Sequence, residues 1–365
     1  MRVTVSDYVF QLRERTEETR LITYGVPLSS IAVSLLFAAV VLEVIGVSSL
    51  AAFGTVVTGL TSLSTLSEVV VRMIPLLIAG LAVYVPMRAG LWNIGAGAGI
   101  YAGGIAATAI GLFAPLPGFL LIPAVITGSA LAGGAVLFIP GYLRARWDIN
   151  EILTSLLLTF TFIQLNEYAI LLMPAEDITH SSATLRAAAV FPRLGGTRIH
   201  LGAAIAVVAF ALVYRMMNHS RFGYEIKTFG SNPTAAFQSG ISKYKVVIGT
   251  FVAGGLLAGV AGGAEIAGIH SRLVPGFSPG FGFTAIAIAL IGQRGEFRVL
   301  GASLLFSLVY ISGAAIELSH NVPFSIIEVF EAIVILFFIA GEAIRRFEID
   351  VQRSDERTEG TVVGQ

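Results

Sequence analysis

Stretches of about 20 apolar residues recur along this chain, each bounded by Arg, Pro, Gly or Asn, and a run of that length matches the hydrocarbon core of a bilayer. They fall at about 22–47, 68–86, 90–113, 117–140, 150–173, 199–217, 245–268, 281–293, 297–318 and 325–344. Hydrocarbon offers no partner for backbone N–H and C=O groups, so helices are the expected answer. The expected fold is an all-α polytopic membrane protein of about ten transmembrane helices. The eighth run has about 13 residues, too few to cross, and is expected as a half-helix or re-entrant segment sheltered by its neighbours. Charged residues make up 13%, against about 25% in soluble domains, which agrees with a chain placed in lipid.

The 23 Lys and Arg balance the 23 Asp and Glu, so net charge gives no pointer to nucleic acid. Their positions say more. With ten spans and a cytoplasmic N-terminus, only Arg72, Arg186, Arg193, Arg198 and Arg272 fall outside, and the other 18 of the 23 fall inside. A miscounted span would mix the two sets. Residues 1–21 are therefore expected as a cytoplasmic segment, 22–344 as the transmembrane domain, and 345–365 as a charged cytoplasmic tail without structure. The first apolar run is long and lacks a small-residue cleavage site, which reads as a retained anchor in the cell membrane. The longest outer connection is 174–198, whose SSATLRAAAV core predicts a short helix over the channel mouth. With no cysteine, and five His without an H-E-x-x-H pattern, disulfides are excluded and a metal centre has little support.

Of the 40 glycines, many crowd into 90–111 and 253–268. Small residues let helices approach closely in lipid, so these stretches are expected to be tightly packed spans. Gly95, Gly97 and Gly99 lie in an apolar run without a βαβ context, which argues against a nucleotide site. No phosphate-cradling G-x-x-x-x-G-K-[ST] occurs, so any ATP hydrolysis falls to another chain. Polar groups inside spans are costly and are read as functional candidates. Asn93, Gln164, Asn166, Glu167 and Glu331 are the expected lining of a path for a polar solute. Glu265 and Glu317 lie near span ends, where hydration is expected. Residues 218–245, NHSRFGYEIKTFGSNPTAAFQSGISKYK, are a long polar segment between two spans, expected to meet a partner outside the bilayer.

Five ordered motifs, GLWNIGAGAGIYAGG, NEILTSLLLTF, GSNPTAAFQSGI, AGGLLAGVAGGAEIAG and GFGFTAIAIALIGQ, resemble the permease subunits of bacterial and archaeal ABC importers for nucleosides and simple sugars. The likeness is to the branch served by basic-membrane-protein lipoprotein receptors and covers about 68–344. It implies a permease that pairs with a second, identical or different, permease subunit, with two ABC ATPase domains commonly fused in one chain, and with an external substrate-binding lipoprotein. No cofactor is implied. It also implies that 218–245 carries a coupling helix, with Gly230, Asn232, Pro233, Ala235, Ala236, Gly240 and Ile241 matching G-x-N-P-x-A-A-x-x-x-G-I. Pro233 suits the first helical position, and the small residues suit close docking on an ATPase. Two departures stand out. Gly97 and Gly99 replace the Glu and Gln of the family's N-I-G-x-E-G-Q, and Thr284 replaces the Asp of G-F-D-G-I. The competing reading is a secondary transporter in which Glu167 or Glu331 exchanges protons with the solute.

Overall fold

The computed structural model describes residues 2–5, 8–14, 20–175, 180–320, 322–323, 326, 329–330, 332–337, 340–341 and 347–353. Two compact units divide the chain, Met1–Phe53 with Pro323–Gln365, and Gly54–Val322. In the larger unit the helices are α3 (Leu63–Met87), α4 (Ala96–Phe113), α5 (Gly118–Trp147), α6 (Glu151–Leu172), α7 (Gly202–His219), α8 (Arg221–Ser231), α9 (Pro233–Gln238), α10 (Lys243–Glu265), α11 (Phe281–Ile291) and α12 (Glu296–His320). Among the described residues seven helices are long and apolar enough to cross a membrane: α3 to α7, α10 extended by a π-helical turn to His270, and α12. The eighth apolar run is α11, a half-helix of 11 residues as expected. Part of the tenth, at 325–344, lies outside the described residues, Glu331 included.

Helix α3 is the central strut. Nearly every residue from Ile74 to Pro86 is buried, and its start is capped by Ser62, whose hydroxyl accepts from the Thr65 N–H at 3.2 Å. Against it stands α10, which packs in turn on α4 and α5, the other glycine-rich helices. A Cβ placed on Gly103, Gly259 or Gly262 would run into the backbone carbonyls of Gly259, Ser129 and Ile100 respectively. Backbone meets backbone there, which only glycine permits. The third apolar run does not start its helix at residue 90, as its hydropathy suggests, but at Ala96.

The outer connection departs from expectation. Among its described residues only Ala187–Ala189 is helical, as a single 3-10 turn, and the adjoining Arg186 and Val190 are extended. Ser182, Leu185 and Phe191 donate their N–H groups to the carbonyls of Leu273, Ser271 and Ala267 at 2.9, 2.8 and 2.8 Å. Arg186 reaches the free carbonyls ending α4, donating to Gly111 at 2.9 Å and Ala114 at 2.5 Å. Extended backbone won because the end of α10 offered it hydrogen-bond partners.

In the smaller unit, α1 (Arg20–Val44) is followed by α2, Ser49–Leu60, which continues into the larger unit. Three strands, β1 (Arg2–Val5), β2 (Tyr8–Glu14) and β3 (Phe347–Arg353), form an antiparallel sheet in that order, with Phe10 opposite Val3 and Val351. The unstructured tail expected from Arg345 onward is thus corrected over 347–353. Its FEIDVQ sequence alternates apolar and polar residues with the period of a strand, and β2 supplies the partner.

Candidate functional site

Two helices of the larger unit begin deep inside it after non-helical stretches, 88–95 before α4 and 271–280 before α11. Their N-termini touch: a Cβ on Gly282 would lie 2.7 Å from the Gly97 nitrogen. A Cβ on Gly97 would in turn lie 2.7 Å from Thr159 Cγ2, eight residues and so about 12 Å along α6 from its start. Neither first turn carries an acidic residue, so two positive helix ends converge with no carboxylate to answer them. Gly97 and Thr284, the two departures noted in the sequence, both sit on these first turns.

Unwound backbone at membrane depth must find partners within the protein. The buried stripe of α6, Ser155, Thr159 and Asn166, supplies them. Ser155 Oγ accepts from the Ile94 N–H at 3.3 Å and Thr159 Oγ1 donates to the Ile94 carbonyl at 3.0 Å. Farther along, Asn166 Nδ2 donates to the Val274 carbonyl at 3.3 Å. Tyr101, from α4, sends its hydroxyl to the Ser278 carbonyl at 3.5 Å and sets its ring edge-on to Phe277. Asn166 Oδ1 and Ser278 Oγ are buried without a partner. That leaves acceptor and donor capacity unused next to the meeting point of the two helix ends.

The sequence candidates fall into different places. Asn93 is buried and fully engaged, donating to the Ala82 carbonyl at 3.3 Å and accepting from the Gly95 N–H at 3.0 Å. Asn166 joins the meeting point, Gln164 faces outward exposed, and Glu167 is half-buried, 3.4 Å from His180. Glu265 is not hydrated, as its place near a span end suggested, but wholly buried, with Oε1 3.5 Å from Arg72 Nη1 and 3.3 Å from His270 Nε2. Sequence reasoning passed over Ser155, Thr159, Tyr101 and Ser278. The spacings of four and seven residues from Ser155 to Thr159 to Asn166 are a readable signal, because they put small polar groups on one face of an apolar helix.

At the far end of α7, Ser220 caps α8, accepting from the Gly223 N–H at 3.0 Å. Within α8, Glu225 is flanked by Lys245 and Arg221, and Lys245's hydrogen bond holds its carboxyl below the usual carboxylate range. Asn232 then opens α9, its Oδ1 accepting from the Ala235 N–H at 3.0 Å, and Pro233 takes the first helical position. Of the matching small residues, Ala235 is exposed and Ala236 is wholly buried within this chain. The exposed feature is Phe237, 76% accessible at the tip, with Gly240 in the left-handed region at φ +78° closing the turn. Behind α9 a cavity of about 530 Å³ is lined by Ala89, Gly90, Gly230, Phe237, Lys243 and Asp148. Lys243 donates to both Asp148 oxygens at 2.7 and 2.8 Å, which holds that carboxyl below its ordinary range.

A membrane domain built on broken helices, with a short capped helix projecting at one end, matches a family model described as the permease component of the branched-chain amino acid transport system, over residues 65–342. The chain belongs to this permease family. It is 38% identical over 356 residues to a glucose ABC transporter permease protein, TsgB13, of Haloferax volcanii, covering 93% of each chain. It is 30% identical over 327 residues to the guanosine permease NupP of Bacillus subtilis, covering 88% of this chain and 94% of the relative. It is 28% identical over 350 residues to the nucleoside permease NupB of Lactococcus lactis, covering 92% and 96%. The chain is thus a multi-pass permease subunit of an ABC importer, and membership of the family implies an ATPase partner and a substrate-binding protein.

Proposed function

We propose that this subunit forms one half of the path for a hydroxylated solute, a simple sugar or a nucleoside, with both termini in the cytoplasm and α9 docked on the ATPase. The observation that carries the docking is the exposed Phe237 at the tip of a helix fixed by Asn232 and Pro233. Isolated surface aromatics of that exposure are poor company for water, whereas an aromatic anchor in a partner's groove is a common centre of binding energy. Support for the solute class comes from the printed specificities of the relatives, glucose and guanosine, and from the uncharged polar groups Asn166, Tyr101 and Ser278 beside the two helix ends. The partner set of this reading is a tandem ATPase, a second permease and an external lipoprotein receptor. In it, ATP closes the ATPases, α9 transmits the movement, and the helices rock to alternate access.

The test is Phe237→Ala in the assembled importer, with uptake of D-glucose and of guanosine and receptor-stimulated ATP hydrolysis read together. Loss of an anchor worth about 1.4–2 kcal/mol lowers docking at least about tenfold, so hydrolysis and uptake are expected to fall in step. Full coupled transport by the variant would remove α9 from the contact. Uptake driven by a pH gradient without any ATPase would overturn the importer reading and favour Glu167 or Glu331 as a proton carrier.

A further inference from the structure

Away from the meeting point of α4 and α11, a second polar cluster sits at the end of α10 opposite α9. Glu265 is its floor, with Oε1 shared by Arg72 and His270 while Oε2 is buried with no partner. A π-helical turn over Ile266–His270 makes this arrangement possible. In an α-helix residues i and i+5 point well apart, but the wider π turn brings His270 back over Glu265, and such turns recur at functional sites. Arg72 lies over the rings of Tyr310 and Phe281, 4.0 and 5.0 Å from their centroids. Its side chain is 18% exposed and that of His270 31%, so these two form a rim open to one side above a closed floor.

His200 completes the floor. Its ring packs on Gly268, where any Cβ would overlap it, and Gly268 is three residues beyond Glu265. Its Nδ1 accepts from the Gly202 N–H at 3.1 Å, so Nδ1 carries no proton and Nε2–H is the donor. That Nε2 is buried without a partner. The cluster therefore holds one buried acceptor, Glu265 Oε2, and one buried donor, His200 Nε2–H, without partners.

We infer that Glu265 and His200 bind a hydroxyl group of the transported solute, the hydroxyl accepting from His200 Nε2–H and donating to Glu265 Oε2. Only a group that both donates and accepts answers the pair: an ammonium cannot accept from the imidazole and a carboxylate cannot donate to the glutamate. The proposed approach is from the side of Arg72 and His270, the partly exposed members of the cluster. The inference rests on the proposed solute class.

Equilibrium binding of tritiated D-glucose and guanosine to the detergent-solubilised full-length chain tests it, for wild type, Glu265→Gln and His200→Gln, with 2-deoxy-D-glucose, 2′-deoxyguanosine and 3′-deoxyguanosine as competitors. Wild type is expected to bind one of the two solutes, and both variants to bind it about tenfold more weakly. One deoxy analogue should bind wild type as weakly as the parent solute binds the variants, and lose nothing more in them, because solute hydroxyl and side chains are one coupled unit. If losses from substitution and from deoxygenation simply multiply, the pair holds only water and the inference fails. It fails equally if wild type binds neither solute, or if a folded variant binds like wild type; His200→Gln decides should Glu265→Gln not fold. ATP-driven uptake in the assembled importer is measured separately, so failure here leaves the importer reading standing.

Discussion

The two unwound stretches solve one problem with opposite degrees of completion. Over 88–95 the break in the helix is largely answered: Gly90 takes φ +74°, Leu91 N–H returns to the Pro86 carbonyl at 3.1 Å, and Asn93 uses both ends of its amide. The buried atom left over there is Arg88 Nε, in a guanidinium already held through Nη1 on the Gln293 carbonyl at 2.7 Å. Over 271–280 the chain passes through left-handed Ser271, Gly276 and Gly280, and Asn166 Oδ1 and Ser278 Oγ beside it stay unpaired. Glu265 and His200 add two more unpaired atoms a turn away. The first stretch is finished architecture. The second keeps polar capacity in reserve, as expected where a bound solute or a moving segment must be accommodated.

That contrast can be broken most forcefully at Asn93. Asn93→Ala removes two buried hydrogen bonds and orphans the Ala82 carbonyl and the Gly95 N–H, at a cost of about 2–3 kcal/mol. The expected outcome is a clear drop in the melting temperature of the purified protein, whichever solute is present. Asn166→Ala should cost about 1 kcal/mol, since only its bond to the Val274 carbonyl is lost. Its larger effect is expected in transport: initial uptake falls several-fold at unchanged protein level, and normal uptake would assign Asn166 to packing. Ser278→Ala is the gentlest probe. Its hydroxyl makes no hydrogen bond, so melting should shift by less than the equivalent of about 0.5 kcal/mol, with any deficit confined to uptake. A large loss of stability from Ser278→Ala would erase the distinction between the two stretches.

Much of this was legible in the sequence, and the exceptions share a cause. Hydropathy locates apolar residues but is blind to whether their backbone is helical. GLWNI reads as the start of a span, yet Gly90 and Asn93 make it a turn. SLAAFGTVVTGL, at 49–60, is too short for a span at 12 residues and yet is helical, as α2. The π turn left no periodic trace, so Glu265 and His270 could not be paired by α-helical spacing. Asn232, Pro233 and Gly240, by contrast, declared the short helix through cap, start and turn chemistry, which are local rules. What spacing could not give was facing. Ala235 and Ala236 look equivalent in the sequence, and only the fold turns one outward and the other in.

Asn232 closes α8 and opens α9 at once, its N–H bonding back to the Thr228 carbonyl at 3.1 Å while its side chain caps forward onto Ala235. Mechanically the pair is a crank with a single-residue pin and no backlash. Two residues before the pin, Gly230 presses on the backbone of Arg88 and Ala89, where a Cβ would meet the Arg88 carbonyl. In the proposed coupling role a displacement at Phe237 would pass through Asn232 to Gly230, in the last turn of α8, and from there to the stretch that leads into α4.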